Sequence, residues 1–468
     1  MIAPPATFRT ELNAMLRLAA PLAAANLLQM AVYALDVMFN ARLGEEALAA
    51  SSLAVTIFSL LAWCFTGLSG AVAPLIAAEL GRKRHAVREV RRSMRMGLWL
   101  ALVLGLAGVA VCSYGREILL LTGQSPRIAA RAQEFLGILK WAMVPMVLCN
   151  VMRIFVATMG RPGLAMVITA QAIVVNFFGN YALVFGHFGA PAMGLRGSAT
   201  ASIITVTITL LLYAVVIRLD RRLRRYRLMG RWWRPDWERL GQLISLGVPI
   251  ALTVVAEGGL FSSAALLMGL IGEAHLAGHT VALQVAALAF QVPMGIGQAA
   301  TIRVGYHYGA GDRLAIGRAG WAAMLIGVGF SLASALPMVF SPRLILSAYI
   351  DIDAPANAVM IGFAVQYMVI AAAFQLFDGA QAIAAGALRG LQDTRVPMVL
   401  ALAGYWPIGF GTAVWLGFRT PLSGLGVWLG LAIGLVVVAG LLVWRWNARE
   451  KLGVLQVPFS ESPGLAPG

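Results

Sequence analysis

Charge is scarce in this chain. Asp, Glu, Lys and Arg make up 12% of the 468 residues, against 60% hydrophobic ones, and the mean hydropathy is +0.81. No soluble globular class has that balance. Cysteine is scarcer still. Cys64, Cys112 and Cys149 lie in or beside apolar runs without metal-type spacing, which excludes a disulfide framework and a zinc cluster. A Gly-rich phosphate-binding loop with its Lys-Ser/Thr is missing, so no ATPase of its own is encoded. No nucleophile–base or metal constellation marks an enzyme either, and no cofactor is called for. The net charge of +16 does not signal nucleic acid, because Lys and Arg cluster in short loops between apolar runs, as in loops facing anionic lipid.

What is present is a series of long apolar runs. They are continuous rather than alternating, which means helices and not a membrane barrel. The chain reads as an all-α integral membrane protein with twelve transmembrane helices. The first six segments run roughly from Ala14 to Met38, Leu48 to Val72, Met96 to Ser113, Phe135 to Met152, Leu164 to Phe185 and Gly197 to Ile217. The second six run from Leu243 to Ile271, Val281 to Ile302, Gly320 to Phe340, Val359 to Leu388, Val396 to Gly417 and Leu425 to Trp444. The first run continues past Arg9 and Arg17 to Phe39, too long for a cleaved signal, so it reads as a span.

Twelve spans put both termini on one side. Most basic residues then share that side, including Arg82-Lys83-Arg84 through Arg95 and Arg218 through Arg239, which makes it cytoplasmic by the positive-inside rule. The expected division is a six-helix lobe over 1–217, a basic cytoplasmic linker over 218–242, a second lobe over 243–452 and a disordered tail over 453–468. In the linker, Arg231-Trp-Trp-Arg-Pro-Asp-Trp reads as a lipid-surface stretch with interfacial aromatics.

An internal repeat underlies the division. An offset of 228 residues places Pro21 on Pro249, Gly44-Glu45 on Gly272-Glu273, Leu48-Ala49 on Leu276-Ala277, Gly67 on Gly295 and Gly81 on Gly309 without a gap. Copies six spans apart have the same orientation, so they form parallel repeats about an axis along the membrane normal, with a cavity between them. The chemistry is not repeated. Glu257 maps to Gln29, and Asp36 maps to Ala264.

Three carboxylates fall inside spans: Asp36, Glu257 and Asp378. At mid-membrane each costs at least ~2.5 kcal/mol, so such residues are kept for function or paired with a neighbouring helix. Acids buried away from water hold protons, metal ions or cationic ligands more readily than exposed ones. Amides form a second set. Gln284, Gln291 and Gln298 recur every seven residues on one stripe, while Asn176 and Asn180, like Gln375 and Asp378, share a helix face. His275 and His279 have a zinc-like spacing but fall in a short outer connection without a supporting motif, so no metal site is expected there. Pro21, Pro145, Pro249 and Pro293 are candidate kinks.

These residues resemble the MATE multidrug and toxic compound extrusion transporters, in particular their NorM-type bacterial branch. The likeness spans nearly the whole chain. It rests on Ala34-Leu-Asp-Val-Met, Val248-Pro with Glu257, Gly278-His-Thr-Val-Ala-Leu-Gln, Pro293-Met-Gly-Ile-Gly, Ile302-Arg-Val-Gly, and Asp378-Gly-Ala-Gln leading to Ala387-Leu-Arg-Gly. The resemblance implies two six-helix lobes and alternating-access export of small cationic or amphipathic drugs and dyes in exchange for Na⁺ or H⁺. It implies a monomer, in contact with membrane lipid, in the bacterial inner membrane. Carried over by position, Glu257 and Asp378 form the cation site, a metal site if the ion is Na⁺, and Asp36 is the titrating acid of the first lobe. Gln29, Asn176, Asn180, Gln284, Gln291, Phe374 and Gln375 are the expected cavity residues. Phe374 stands where some sodium-coupled relatives have a tyrosine, which leaves Na⁺ and H⁺ both open. The alternative is a flippase for lipid-linked precursors, which needs basic groups in the cavity; the expected lack of a mid-span arginine weighs against it.

Overall fold

The computed structural model describes residues 7–82, 85–228, 230 and 232–455. Lys83 and Arg84 of the first basic cluster, Arg231 of the linker and 456–468 of the expected tail lie outside the described residues. All regular structure among the described residues is helical. Twelve helices are long and apolar enough to span a membrane: α1 Phe8–Ala41, α2 Glu45–Arg82, α3 Ala86–Ser113, α4 Pro126–Thr158, α5 Pro162–Phe185 and α6 Leu195–Leu219, then α7 Trp237–Ile271, α8 Glu273–Ala310, α9 Arg313–Phe340, α10 Pro355–Gly390, α11 Arg395–Arg419 and α12 Gly424–Asn447. By parity the chain ends on the side where it began, here called the terminal side; the opposite face is the far side.

Helices outrun their apolar segments because a helix does not stop at the hydrocarbon edge. α3 begins ten residues before Met96 and carries the charged stretch from Arg88 to Arg95 into regular structure. Similarly, α7 starts at Trp237, capped by the Asp236 side chain accepting from the Arg239 N–H, so Arg239 is helical and not part of a linker. His275 and His279 also lie within α8 rather than in a connection. The prolines act where a missing N–H and ring bulk disturb the ladder. Ahead of Pro145, α4 tightens into a 3₁₀ turn over Lys140–Ala142. Around Pro407, α11 widens into a π-helix over Gly404–Phe410.

Buried apolar side chains form two cores. One draws on residues from Ala50 to Ile250. The other draws mainly on Ala256 to Leu455, and also takes in Met15, Leu18, Ala19 and Leu22 from the start of α1. The halves meet through α1 and α2 of the first against α8 and α7 of the second, where small residues let backbones approach. A Cβ on Gly67 would lie 2.9 Å from Ala251 Cα, and one on Gly295 would lie 2.6 Å from Ala23 Cα. Those two contacts exchange under the 228-residue offset. So do a second pair: a Cβ on Gly81 would strike the Tyr306 carbonyl oxygen, and one on Gly309 the Ala78 carbonyl oxygen. The parallel repeat read from sequence is therefore present in space, with its axis beside Gly81 and Gly309.

All four contacts lie in the terminal-side parts of their helices. Ionic ties reinforce the same end. In α8, Arg303 grips Glu11 of α1 with two N–H groups, its Nε at 2.8 Å from Oε1, and His307 Nε2 stands 3.5 Å from the same carboxylate. Glu11, Arg303 and His307 are all buried. Nearby, Arg239 of α7 donates to Glu79 of α2 at 3.1 Å and to Glu89 of α3 at 2.5 Å.

Candidate functional site

Each half holds one carboxylate centre. In the first, Asp36 sits five residues from the C-terminal end of Phe8–Ala41 and is caged by side chains of α5 and α6. Its Oδ1 accepts from Asn176 Nδ2 and Asn180 Nδ2, both at 2.9 Å, and its Oδ2 accepts from Ser202 Oγ at 3.1 Å. The asparagines are four apart, so one face of α5 presents both amides to the same oxygen. Both are fully buried. Asn180 also donates to Asn176 at the backbone oxygen (3.0 Å) and at Oδ1 (3.2 Å), which fixes its plane. Its own Oδ1 is buried without a partner among the described residues. Every donor in this cage is neutral, so the carboxylate charge is spread over three hydrogen bonds and not cancelled.

In the second half, Glu257 of α7 and Asp378 of α10 are joined by a residue absent from the expected set. Gln381 Nε2 donates to Glu257 Oε1 at 2.8 Å and to Asp378 Oδ1 at 3.1 Å. Its position three residues after Asp378 places both on one face of α10. The Gln381 carbonyl accepts in turn from Tyr405 Oη at 2.5 Å, and Tyr405 reaches it from the π-helical turn of α11. Arg389, eight residues beyond Gln381, is the opposite charge acting on Glu257. Two carboxylates within reach of one amide nitrogen repel strongly in apolar surroundings unless a proton or metal cation lies with them.

The remaining expected residues divide. Gln29 and Gln284 are exposed, and Gln291 bonds back to the Ala287 carbonyl at 3.2 Å while its own carbonyl accepts from Asn26 at 3.5 Å. Phe374 is buried edge-on to Phe261 and Trp428, at centroid distances of 6.0 and 5.8 Å. Gln375 is buried too, donating to Ser334 Oγ of α9 at 2.5 Å. These last two sit in the packing between second-half helices. His275 Nδ1 lies 2.6 Å from Tyr367 Oη, and His279 packs against Trp428.

Three arginines lie just beyond the ends of the apolar segments, none of them at mid-span. Arg153, Arg303 and Arg389 all lie within spanning helices. Two of them have close polar partners: Arg303 has Glu11, and Arg153 donates to Asn26 at 3.3 Å and Asn150 at 3.2 Å. All three fall in the terminal-side parts of their helices, where the hydropathy pattern blends into the loops and hides them.

Comparison with known proteins agrees with this geometry. A family model described as MatE matches residues 21–182 and 249–415, two blocks that start 228 residues apart. A probable multidrug resistance protein NorM of Mesorhizobium japonicum is 45% identical over 450 residues, spanning 96% of each chain. Its counterpart in Brucella suis is 44% identical over 437 residues, spanning 93% of each. Among solved structures, a eukaryotic MATE transporter matches with a TM-score of 0.83 at 21% identity, over 96% of this chain and 99% of that one. An outward-facing MATE family multidrug resistance transporter matches with a TM-score of 0.84 at 21% identity, over 95% and 97%.

Proposed function

This chain belongs to the MATE family, and on that footing we propose that it exports small cationic or amphipathic drugs across a bacterial inner membrane, driven by inward exchange of Na⁺ or H⁺. The observation that carries the coupling is the Gln381 bridge. It holds Glu257 and Asp378 together inside the membrane region, where one cation relieves the repulsion of both. Asp36 is a second cation-responsive centre, with a buried acceptor, Asn180 Oδ1, beside it.

Transport proceeds by alternating access. The glycine contacts and the Glu11–Arg303 and Arg239–Glu79 ties support an arrangement closed at the terminal side. The positive-inside bias makes that side cytoplasmic. Cation uptake at the second-half pair weakens drug binding and so promotes release on the far side, and reciprocal linkage requires bound drug to weaken cation binding by the same factor.

A flippase for lipid-linked precursors is the other reading. It gains from Arg153, Arg303 and Arg389 in the terminal-side parts of their helices, since phosphates need basic partners. Arg303 already binds the Glu11 carboxylate, however, and the acid-rich centres favour cationic cargo. The test is dye efflux from proteoliposomes under an imposed Na⁺ gradient or, separately, a pH gradient. Efflux driven by one gradient and absent in Glu257→Gln is the expected result. No response to either gradient, with transfer of a labelled lipid-linked sugar instead, would sink the antiport reading.

A further inference from the structure

On the terminal side, α3 opens with Arg88, Arg91, Arg92 and Arg95. Their spacing of three, four and seven places them on one helix face, along about 10 Å of axis at 1.5 Å per residue. Opposite lies the segment leading into α7. Arg234, Gly230 and Asp236 of that segment join the four arginines to line a cavity of about 370 Å³, a volume within the range of roughly 300–1,000 Å³ typical of small-ligand sites. Five guanidinium groups face one carboxylate there.

The carboxylate is already engaged. Asp236 Oδ2 accepts from Arg92 Nε at 2.5 Å. Burial pushes the Asp236 carboxyl up, but its bonds from Arg92 and from the Arg239 N–H hold it below the usual carboxylate range, so it stays charged and offsets Arg92. Glu89 takes a further Arg92 N–H at 2.9 Å. Arg91 uses its Nε on the Tyr226 carbonyl at 2.7 Å. Arg88 and Arg234 are exposed and make no ion pair among the described residues. The cavity wall is thus cationic beyond what its own acid neutralises.

The setting indicates the source of an anion. Trp99 donates its indole N–H to the Trp232 carbonyl at 3.1 Å, and the two rings lie 6.4 Å apart. Trp233 and Trp237 flank the cavity in sequence and are 73% and 70% exposed. Exposed tryptophans beside arginines at the end of a spanning helix mark the headgroup level of a bilayer. Guanidinium forks suit phosphate oxygens, which they bind with paired N–H donors.

We propose that this cavity binds the phosphate of an anionic phospholipid headgroup. Its walls come from α3 of the first half and from the segment that leads into α7 of the second. A bound headgroup therefore spans the two and favours whichever arrangement keeps them together.

The test measures thermal stability of the purified full chain in detergent, at constant ionic strength, against added phosphatidylglycerol, phosphatidylcholine of matched acyl length, or inorganic phosphate. Phosphatidylglycerol is expected to raise Tm saturably and phosphatidylcholine to leave it unchanged. In Arg88→Ala/Arg234→Ala the half-saturating concentration should rise about fivefold for each arginine removed, at about 1 kcal/mol per basic residue. Arg222→Ala/Arg224→Ala removes the same charge from the exposed linker outside the cavity and should respond as the unmodified chain does. An equal loss in both double variants would reduce the effect to bulk surface charge and overturn the site. An unchanged response in Arg88→Ala/Arg234→Ala would do the same. A saturable rise with inorganic phosphate alone would overturn the lipid assignment.

Discussion

The two halves share a backbone plan but hold their acids in opposite ways. In the first, Asp36 stands alone among three neutral donors from two helices. In the second, Glu257 and Asp378 share one amide, and Arg389 stands near as a counter-charge. The first arrangement spreads the charge of one carboxylate over a cage of neutral hydrogen bonds. The second crowds two carboxylates onto one amide nitrogen, an electrostatic conflict held between α7 and α10. The repeat therefore conserves the frame while leaving each half free to hold charge differently.

The sharpest way to break this contrast is to neutralise one acid at a time. Glu257→Gln should lower gradient-driven efflux more than about a thousandfold, or about 4 kcal/mol, whereas Asp36→Asn should lower it about tenfold. Equal losses in proteoliposome flux would show the centres to be equivalent. Next in size is the tie that holds the halves. Arg303→Leu leaves the Glu11 carboxylate buried with His307 alone beside it, which should cost about 3 kcal/mol of stability. Glu11→Leu/Arg303→Leu should recover most of that in a thermal melt, and a double variant no more stable than the single would deny the pair its role.

Smaller effects compare the scaffolds around the acids. Gln381→Leu removes the amide that bridges Glu257 and Asp378, so efflux should fall roughly tenfold for a lost charged hydrogen bond worth about 1.5 kcal/mol. Asn176→Ala leaves Asp36 with Asn180 and Ser202, and should cost about threefold or less. A reversed order, read from initial efflux rates at matched protein content, would mean that the first-half cage is the more tightly tuned. At the bottom of the scale is Arg127 with Glu46, an exposed pair at 2.8 Å. Arg127→Ala should change stability by under about 1 kcal/mol.

Much of this was legible in the sequence. Twelve apolar runs and an ungapped offset identify the spans and the repeat, because both follow from local hydropathy and simple counting. Asp36 with Asn176 and Asn180 could be anticipated from helix faces, since four-residue spacing aims side chains alike. Gln381 carried a usable signal, lying three residues after Asp378, but a glutamine among small residues does not stand out until its partners are seen. Tyr405 was harder to find: its place depends on a π-helical turn around Pro407, and a proline signals a disturbed ladder without saying which side chain it re-aims. Glu11 and Arg303 were hidden for another reason. Each lies near the edge of an apolar run, where charge reads as loop, and their pairing across 292 positions has no local signature.

The glycine seam has a bearing on descent. Paired contacts that exchange under one offset are those of an isologous interface, where a single surface meets itself across a two-fold axis. In a six-helix ancestor that associated in this way, one substitution would have altered both contacts at once, and any acid would have appeared on both sides of the two-fold axis. Joining two copies end to end released that constraint. Each half could then mutate separately, so Gln29 could part from Glu257 and Asp36 from Ala264, while Gly67, Gly81, Gly295 and Gly309 kept the old dimer contact within one polypeptide.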